Sequence, residues 1–494
     1  MGRVWVLLVS IAACSPNVAT TGDARGSPMD GSATDPADGA RSGSRLKLTW
    51  YAFTDGTKQW SGMYDAQTKE LCSPYYSAWT DGRVYCVPPI GGTLVYANPS
   101  CTTRALLYYT STTCPQDPAN YYLEYGTSTC RSAPAHLYRR GAQIAPATYY
   151  TKLSNGACVT DGAPTSAIAI YALGTEVTTD QLVQLSLSAP EGNGRLGTRY
   201  YESIDGMRFP WILHDTALGA DCFATSADDG SNTAPAAARC VPSDASYAYL
   251  AHDPACAVPE LAVESACATP SYAYTFPQTS CPDDHESYFT IGAPAAAPPL
   301  YYPSGASCLA TPPTSGSSYY TLGPKVDVAA LVRTVDDGTA HRVQLAHYTS
   351  PDASDGLRFR DPYSLYDAQL GTRCSPAKLP DGSIRCIASG GFISTYYTSS
   401  ACTTPVELVE VYRGPASCSA PHPPGYGRRT IAPEPGTCTF STEVHALTTV
   451  HAGVVYAGSP GSCGVYTPYE GTLYDIGPVV PLTDFVGAAI AIDS

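Results

Sequence analysis

The sequence Y-D-A-Q-T-K-E-L-C-S-P-Y-Y-S-A-W-T-D-G-R-V-Y-C, at Tyr64–Cys86, decides the fold because the chain repeats its layout. The layout returns at His214–Cys240 and at Tyr366–Cys386. In each copy an aspartate precedes a cysteine at the same separation: Asp65 and Cys72, Asp215 and Cys222, Asp367 and Cys374. A second cysteine follows after a turn in each copy: Cys86, Cys240 and Cys386. This pattern indicates a chain built from three similar units.

Two further signals mark the same units. A D-G dipeptide lies near the start of each: Asp55-Gly56, Asp205-Gly206 and Asp355-Gly356. A Y-x-[LI]-G motif lies near the end of each: Tyr171–Gly174, Tyr320–Gly323 and Tyr474–Gly477. Self-similarity at a fixed period predicts a repeat architecture, with units at residues 46–188, 189–338 and 339–494.

The composition favours strands over helices. The chain has 37 Tyr, 43 Gly and 43 Pro, whereas charged residues make up only 14 %. Tyrosine suits a half-buried pleated surface, and Gly and Pro mark turns. Short strand segments follow one another closely, for example at residues 46–53, 84–87, 93–96 and 168–173. We predict an all-β fold with roughly ten to twelve strands per unit.

We expect the strands to form an antiparallel meander, whose edges must be closed or covered. A closed β-propeller achieves this by radial repetition of four-stranded blades, and threefold repetition favours six or nine blades. The alternative is three tandem small β-domains, each a barrel, trefoil or sandwich. Because the loops between units are short and polar, the body resembles β-propeller-type repeat proteins at the level of fold. A closed ring joins its ends, so residues 46–53 should lie beside the C-terminal run at 485–492.

The chain contains 19 cysteines, of which 18 fall six to a unit. These are Cys72, Cys86, Cys101, Cys114, Cys130 and Cys158; Cys222, Cys240, Cys256, Cys267, Cys281 and Cys308; and Cys374, Cys386, Cys402, Cys418, Cys438 and Cys463. Without any C-x-x-C pair, disulfides formed in an oxidising compartment are expected rather than zinc sites. Because adjacent strands of a hairpin bring Cα atoms within bridging distance, we predict first–second, third–fourth and fifth–sixth pairing.

The first residues predict export and anchoring. After Arg3, the apolar run at residues 4–13 is too short to span a bilayer but suits a signal peptide, expected at residues 1–13. Ala12 and Ala13 directly precede Cys14, and this stretch resembles the lipobox of bacterial lipoproteins. The resemblance implies a lipidated Cys14, and Ser15 is compatible with transport to the outer membrane. The alternative is an ordinary secretory signal in which Cys14 is incidental.

Residues 14–45 are expected to form the lipidated cysteine and a disordered tether. From Ser15 to Arg45 the chain has no Leu, Ile, Phe, Tyr or Trp, which leaves too little apolar surface for folding. The lipid makes the membrane a partner and places the body in the bacterial cell envelope. A net charge of −15 makes nucleic acid an unsuitable partner.

Motifs for catalysis or cofactors fail when their context is checked. The G-N-G-R-L-G sequence at residues 192–197 matches a dinucleotide fingerprint by letter, but strand and turn residues follow where a helix N-terminus is needed. The D-D-G-S-N sequence at residues 228–232 offers oxygen ligands for calcium, although a solvated loop explains it as well. No cofactor and no resident metal is expected.

One histidine follows the fifth cysteine of every unit: His136, His285 and His445. In a threefold arrangement these side chains converge on an axis as candidate ligand-binding residues for a metal or an anion. Their offsets from the cysteine differ, however, as they would for unrelated surface residues. His341 and His347 lack counterparts and are interpreted as structural.

Tyr-Tyr pairs recur along the strands, for example Tyr108-Tyr109 and Tyr200-Tyr201. On a strand one ring of each pair faces the core, and the other faces solvent and can stack on a sugar or peptide. Repeated features without an asymmetric catalytic cluster favour a non-catalytic binding or adhesion module for a carbohydrate or protein ligand over an enzyme. The alternatives are a secreted propeller enzyme acting on glycans and a purely architectural envelope protein.

Overall fold

The structure is a computed structural model that describes most of the chain after residue 38. The described residues are 39–75, 79, 81–109, 119–125, 134–165, 167–192, 194–226, 238–256, 261–265, 270–275, 286–295, 299–304, 307–313, 317–333, 341–349, 358–379, 381–412, 425–431, 441–467 and 471–493. The predicted signal peptide, Cys14 and the tether up to residue 38 lie outside them.

The described residues form 35 strands. Unit 1 has β1 (Leu46–Phe53), β2 (Lys58–Asp65), β3 (Glu70–Pro74), β4 (Val84–Val87), β5 (Thr93–Tyr96), β6 (Arg104–Tyr109), β7 (Tyr121–Tyr125), β8 (Pro134–Ile144), β9 (Tyr149–Lys152), β10 (Cys158–Gly162), β11 (Ile168–Val177) and β12 (Val183–Leu187). Unit 2 has β13 (Leu196–Ser203), β14 (Arg208–Asp215), β15 (Ala220–Ser226), β16 (Ala238–Pro242), β17 (Ser246–Leu250), β18 (Leu261–Ser265), β19 (Tyr272–Thr275), β20 (Ser287–Pro294), β21 (Leu300–Ser304), β22 (Ser307–Thr311) and β23 (Ser317–Lys325). Unit 3 has β24 (Val343–Thr349), β25 (Arg358–Asp367), β26 (Thr372–Lys378), β27 (Ile384–Ala388), β28 (Gly391–Tyr397), β29 (Pro405–Tyr412), β30 (Tyr426–Ile431), β31 (Ser441–Val450), β32 (Val455–Ser459), β33 (Ser462–Tyr466), β34 (Gly471–Val479) and β35 (Gly487–Ile492).

The all-β prediction is confirmed. Helical structure in the described ranges is limited to three 3-10 turns: Thr179–Gln181, Val328–Ala330 and Leu482–Asp484. Within the same ranges, no helix has the length and apolar character needed to cross a membrane. β1, β4 and β5 have the bounds expected from the sequence.

The three units share one sheet of 14 strands. Its order is β16-β15-β14-β13-β12-β4-β3-β2-β1-β35-β27-β26-β25-β24. Each unit contributes its first four strands, and β12 and β35 lie at unit boundaries. β12 pairs with β4 and with β13 of the next unit, while β35 pairs with β27 and with β1. The predicted contact between residues 46–53 and the C-terminal strand is therefore confirmed.

This continuous sheet differs from the separate four-stranded blades that were predicted. The apolar run that ends a unit forms a junction strand, which joins its own unit's fourth strand to the first strand of a neighbouring unit. The boundary between units 2 and 3 begins in the same way. The N–H of Cys240 donates to the carbonyl of Val332, and Arg239 and Arg333 form an antiparallel backbone β-bridge.

A pair of a partly buried arginine and a buried aspartate, which we call the clamp, repeats at every boundary. The clamps are Arg45–Asp65, Arg195–Asp215 and Arg342–Asp367. Each arginine reaches both carboxylate oxygens and donates to a backbone carbonyl just before the junction strand, that of Gln181, Ala330 or Asp484. Asp215 and Asp367 are 0 % exposed, and a buried charge of this kind requires its partner. The clamps therefore fix the junction strands to the shared sheet.

Hairpin turns add a second repeated contact between units. Asp205, in the β13–β14 turn, accepts hydrogen bonds from the N–H groups of Arg45 and Leu46 at 2.7 and 2.8 Å. Asp55, in the β1–β2 turn, accepts one from the N–H of Val343 at 2.7 Å. The turn of one unit thus holds the first strand of another at both described boundaries.

The disulfides correct part of the predicted pairing. The first and second cysteines of each unit are joined, as predicted: Cys72–Cys86, Cys222–Cys240 and Cys374–Cys386. The third pairs with the sixth instead of the fourth: Cys101–Cys158, Cys256–Cys308 and Cys402–Cys463. In units 1 and 3 the hairpin that carries the sixth cysteine folds back onto the strand before the third, as β9 pairs with β5 and β32 with β28. The remaining cysteines lie outside the described residues: Cys114, Cys130, Cys267, Cys281, Cys418 and Cys438.

The rest of each unit forms a smaller structure, which we call its side sheet. In unit 2 the order β17-β18-β23-β20-β19 closes into a barrel. In unit 3 the order β28-β29-β34-β31-β30 forms the same circuit, joined by the parallel pair β28–β30. In unit 1 the order is β5-β6-β11-β8-β7, with a parallel bridge between Ile90 and Tyr121. Each unit thus divides into a contribution to the shared sheet and a side sheet.

The last residues of the predicted tether, 39–45, contact the folded body. Arg41 forms a β-bridge with Arg208. The Ser42 hydroxyl donates to Asp493 at 3.0 Å and accepts from the N–H of Leu48 at 2.8 Å. Hydrogen bonds hold residues 39–45 together with the packing of Ala40 against the core, contacts that the low apolar content did not reveal.

Candidate functional site

Two of the three predicted ligand-binding histidines are described. His136, on β8, is exposed, and its Nδ1 lies 2.5 Å from Oε1 of Glu176. His445, on β31, is buried, and its Nδ1 lies 2.9 Å from the carbonyl oxygen of Gly477. His285 lies outside the described residues.

These two histidines do not occupy the same position of the repeat. The glycine of the Y-x-[LI]-G motif packs against the carbonyl of Arg139 in unit 1 and of Ala446 in unit 3, which aligns β8 with β31. On this alignment His445 corresponds to Tyr138, two residues beyond His136. A shared axis requires equivalent positions, which this pair does not provide. Ligand binding by the three histidines stays a prediction.

His445 belongs to a polar cluster on the unit 3 side sheet. Arg429 of β30 donates to Glu443 of β31 at 2.6 Å and to both carboxylate oxygens of Glu407 of β29 at 2.7 and 2.9 Å. Nε2 of His445 lies 3.5 Å from Oε2 of Glu443 and makes no hydrogen bond to any residue that the structure describes. Three strands are thereby joined by charged side chains.

The corresponding strands of unit 1 carry different chemistry. Arg104 of β6 lies 2.7 Å from Glu124 of β7, and its guanidinium lies 4.9 Å from the centre of the Tyr138 ring. Counted along the chain, the basic residue Arg104 is on the second strand of the side sheet and the acidic residue Glu124 is on the third. In unit 3 the acidic residue Glu407 is on the second strand and the basic residue Arg429 is on the third. The strand order is kept while the side chains change.

An exposed row of tyrosines lies on the unit 2 side sheet. Tyr247 and Tyr249 alternate with buried residues along β17 and are 41 % and 40 % exposed. The Tyr247 ring centroid lies 5.3 Å from those of both Tyr249 and Tyr274 of β19, with interplanar angles of 28° and 24°. Burial raises the pKa of Tyr247 and Tyr274, so these phenols stay neutral. We call these three residues the tyrosine row.

The unit 3 side sheet carries other residues at the matching pair. In the parallel pair β28–β30 of unit 3, Phe392 lies opposite Arg428. In the matching pair β17–β19 of unit 2, Tyr247 lies opposite Tyr274. The Arg428 guanidinium lies 4.7 Å from the centre of the Phe392 ring. Unit 3 therefore presents a cation over a single ring where unit 2 presents the row.

The predicted alternation of Tyr-Tyr pairs holds at one site and fails at another. Tyr108 is buried and Tyr109 is 82 % exposed, as expected for a strand. Tyr200 and Tyr201 are both buried. A register shift falls directly before Tyr200, and the Arg208 guanidinium lies over its ring at 3.7 Å, so the outward ring is covered.

A cleft of about 410 Å³ lies where unit 1 meets unit 2. Its walls come from β4, from the turn and strand that end unit 1, and from the β13–β14 turn of unit 2. The residues that line it include Arg83, Asp180, Leu182, Gln184 and Ile204. We call it the junction cleft.

Two of the charges that line the junction cleft are engaged by the fold. Arg45 is held by Asp65 in the clamp. Burial alone would raise the pKa of Asp205, but hydrogen bonds from the Ser203 hydroxyl and the backbone N–H groups of Leu46 and Arg45 outweigh it and lower that pKa. The Arg45 side chain therefore holds the end of unit 1 to its own first strands, and Asp205 holds the turn of unit 2 against unit 1.

Arg83 and Asp180 are the remaining charges of the cleft. The Arg83 side chain donates a 3.4 Å hydrogen bond to Gln184 and also interacts with Tyr85 and with the carboxylate of Asp81. Asp180 is exposed and has no hydrogen-bond or ion-pair partner in the described part of the chain. Asp180 is thus available to a ligand, and the exposed Arg83 is held only by weak contacts with its neighbours.

The other motifs resolve in two ways. Strand β13 follows the glycine-rich sequence at residues 192–197 where a nucleotide-binding helix would begin, and Arg195 within it serves a clamp. The acidic sequence at residues 228–232 lies outside the described residues. In the ranges described, no group of three or more His, Cys, Asp or Glu side chains is placed to hold a metal ion.

Sequence reasoning missed the clamp arginines and the tyrosine row. Arg45, Arg195 and Arg342 each stand directly before the first residue of their unit's first strand, a repeated signal beside the aspartates. The Y-A-Y sequence at residues 247–249 already had the period of an outward strand face.

Comparison with curated proteins and with solved structures finds no match to this chain. A family model described as a family of unknown function, DUF7481, matches residues 11–485. The match covers all three side sheets, every clamp and the shared sheet except its strand β35. The chain belongs to the DUF7481 family.

Proposed function

We propose that the protein is an envelope-anchored, non-catalytic binding module that takes carbohydrate on the tyrosine row. The exposure of two outward rings, on a strand whose alternate residues are buried, carries this proposal. A sugar ring has an apolar C–H face and a polar rim, which match the apolar ring and polar tip of tyrosine. Tyrosine also loses little conformational entropy on binding because it has few rotatable bonds.

A glycan-binding screen tests the proposal directly. The full chain with Cys14→Ala, which removes the proposed lipid, is compared with the same chain carrying Tyr247→Ala and Tyr249→Ala. We expect the parent to bind a subset of glycans and the double variant to lose at least about tenfold in affinity. Tyr109→Ala is the matched control, since Tyr109 is an exposed tyrosine away from the row. Equal binding by parent and double variant, or selective binding of proteins alone, would overturn the assignment.

The six disulfides between described cysteines are typical of extracellular and envelope proteins. We propose that the protein reaches the outer membrane and is held there by lipid on Cys14, as the lipobox-like sequence implies. The Cys14→Ala variant should then leave the membrane fraction for the soluble fraction. Unchanged membrane association of that variant would contradict the anchor.

We further propose that the three units form a closed ring with propeller-like cyclic order. Three matching clamps, two complete junction strands and two turn-carboxylate contacts support it. In this ring Asp355 would contact the first strand of unit 2, as Asp205 contacts that of unit 1. Asp355 lies outside the described residues, so this contact is an expectation.

A further inference from the structure

We infer that the junction cleft is a second binding site, which takes a small zwitterionic ligand of the amino-acid or short-peptide class. Arg83 would bind the carboxylate of the ligand, Asp180 its ammonium group, and Ile204 an apolar side chain. This site is separate from the tyrosine row and does not depend on carbohydrate binding.

The charged pair is specific to this boundary. Gln184 pairs with Tyr85 across the unit 1 junction strand as Gly487 pairs with Arg385 across that of unit 3, which aligns the two boundaries. On this alignment Ser383 stands where unit 1 has Arg83, and Thr483 stands where it has Asp180. Neither charge is thus needed to build a boundary of this kind.

The two charges have complementary chemistry. The guanidinium of Arg83 is an exposed planar fork with five N–H donors, suited to a carboxylate, and its 3.4 Å hydrogen bond to Gln184 is a weak one. The carboxylate of Asp180 accepts from an ammonium group. An exposed cation and an exposed anion in the same cleft favour a ligand that carries both charges.

The edge of the cleft presents apolar surface. Ile204 is 96 % exposed in the β13–β14 turn, whereas Thr54 occupies the same place in the β1–β2 turn. Leu182 lies partly buried in the wall. The fold does not require an isoleucine here, and contact with an apolar ligand side chain would remove Ile204 from water.

The size of the cleft agrees with a small molecule. Its volume of about 410 Å³ lies within the range of roughly 300–1,000 Å³ that is usual for small-ligand sites. Small-molecule sites also occur preferentially where structural units meet. A long polymer is not required to fill it.

The variant Arg83→Ser with Asp180→Thr tests this site without challenging the fold, because it copies Ser383 and Thr483 of the unit 3 boundary. Binding of leucine and of Leu-Leu is measured by titration calorimetry on the full chain carrying Cys14→Ala. N-acetyl-Leu-Leu and Leu-Leu amide each lack one charge and serve as matched probes.

We expect a zwitterionic probe to bind the parent, each blocked peptide to bind at least about tenfold more weakly, and the double variant to lose binding to a similar extent. Thermal unfolding of the variant should match that of the parent. The inference is overturned if neither zwitterionic probe binds, if blocked and unblocked peptides bind equally, or if the double variant binds as the parent does. Retained peptide binding in the Tyr247→Ala and Tyr249→Ala variant separates this site from the tyrosine row.

Discussion

The shared sheet and the side sheets follow the same threefold repeat but differ in what they repeat. The shared sheet carries the same chemistry three times, in the clamps and in the disulfides that join the first two cysteines of each unit. The side sheets keep their strand order while exchanging side chains, as Arg104 and Glu124 show against Glu407 and Arg429. Repeated residues thus mark the frame, by which we mean the shared sheet with its clamps. Side chains that differ on a repeated backbone mark the surfaces available for binding.

The junction cleft makes the same distinction within one boundary. Arg45 and Asp205 recur in kind at other boundaries and are engaged by backbone and side-chain partners. Arg83, Asp180 and Ile204 do not recur. Substitutions should therefore divide into two groups, one affecting stability and the other affecting only binding.

The largest effect is expected from deleting residues 487–494. This removes β35, the strand that pairs with both β1 and β27, so units 1 and 3 lose the strand that makes their sheets continuous. We expect a loss of more than about 5 kcal/mol, with all units affected together. Protease digestion and chemical unfolding report it. Three independent domains would leave units 1 and 2 resistant to protease, which would contradict the shared frame.

The two kinds of disulfide should differ in which part of the molecule they stabilise. Replacing Cys222 and Cys240 by alanine should lower the unfolding free energy by about 3 kcal/mol and affect the shared sheet. Replacing Cys256 and Cys308 should cost a similar amount but expose mainly the unit 2 side sheet. Hydrogen exchange by mass spectrometry distinguishes the two patterns. Equal exposure of all three units in both variants would argue against the division into frame and side sheets.

Acid should weaken the boundary between units 1 and 2. Burial would raise the pKa of Asp65, but the Arg45 hydrogen bonds and charge outweigh it and lower that pKa; Asp205 is lowered in the same direction. A lowered folded pKa contributes stability that is present above the unfolded value of about 4 and is lost as pH falls through the folded value. The stability difference between the parent and Asp205→Asn should therefore shrink below about pH 4. A difference that stays constant down to the acid transition would contradict this.

The smallest effect on stability is expected from the divergent surfaces. Tyr249→Ala and Asp180→Ala should each change the unfolding free energy by less than about 0.5 kcal/mol, because both side chains are exposed. Thermal unfolding measures this. A large loss in either variant would place that residue in the frame.

Much of the frame could be predicted from the sequence because its signals repeat. The unit layout, the bridge between the first two cysteines and the contact of β1 with the chain end follow from local patterns. The link from Cys101 to Cys158 could not be predicted, because it depends on β9 folding back onto β5. The junction cleft was equally hidden, since Arg83 and Ile204 are more than a hundred residues apart in sequence.

The central claim is that the three boundaries are equivalent parts of one frame. The unfolding free energies of Asp65→Ala, Asp215→Ala and Asp367→Ala test it most directly, with Asp180→Ala as the exposed control. We predict that each clamp variant loses about 3–5 kcal/mol, because it leaves a partly buried arginine without its partner. The three losses should agree within about 1 kcal/mol, while the control stays near the parent. Loss in only one clamp variant, or none in any, would contradict the equivalence of the boundaries.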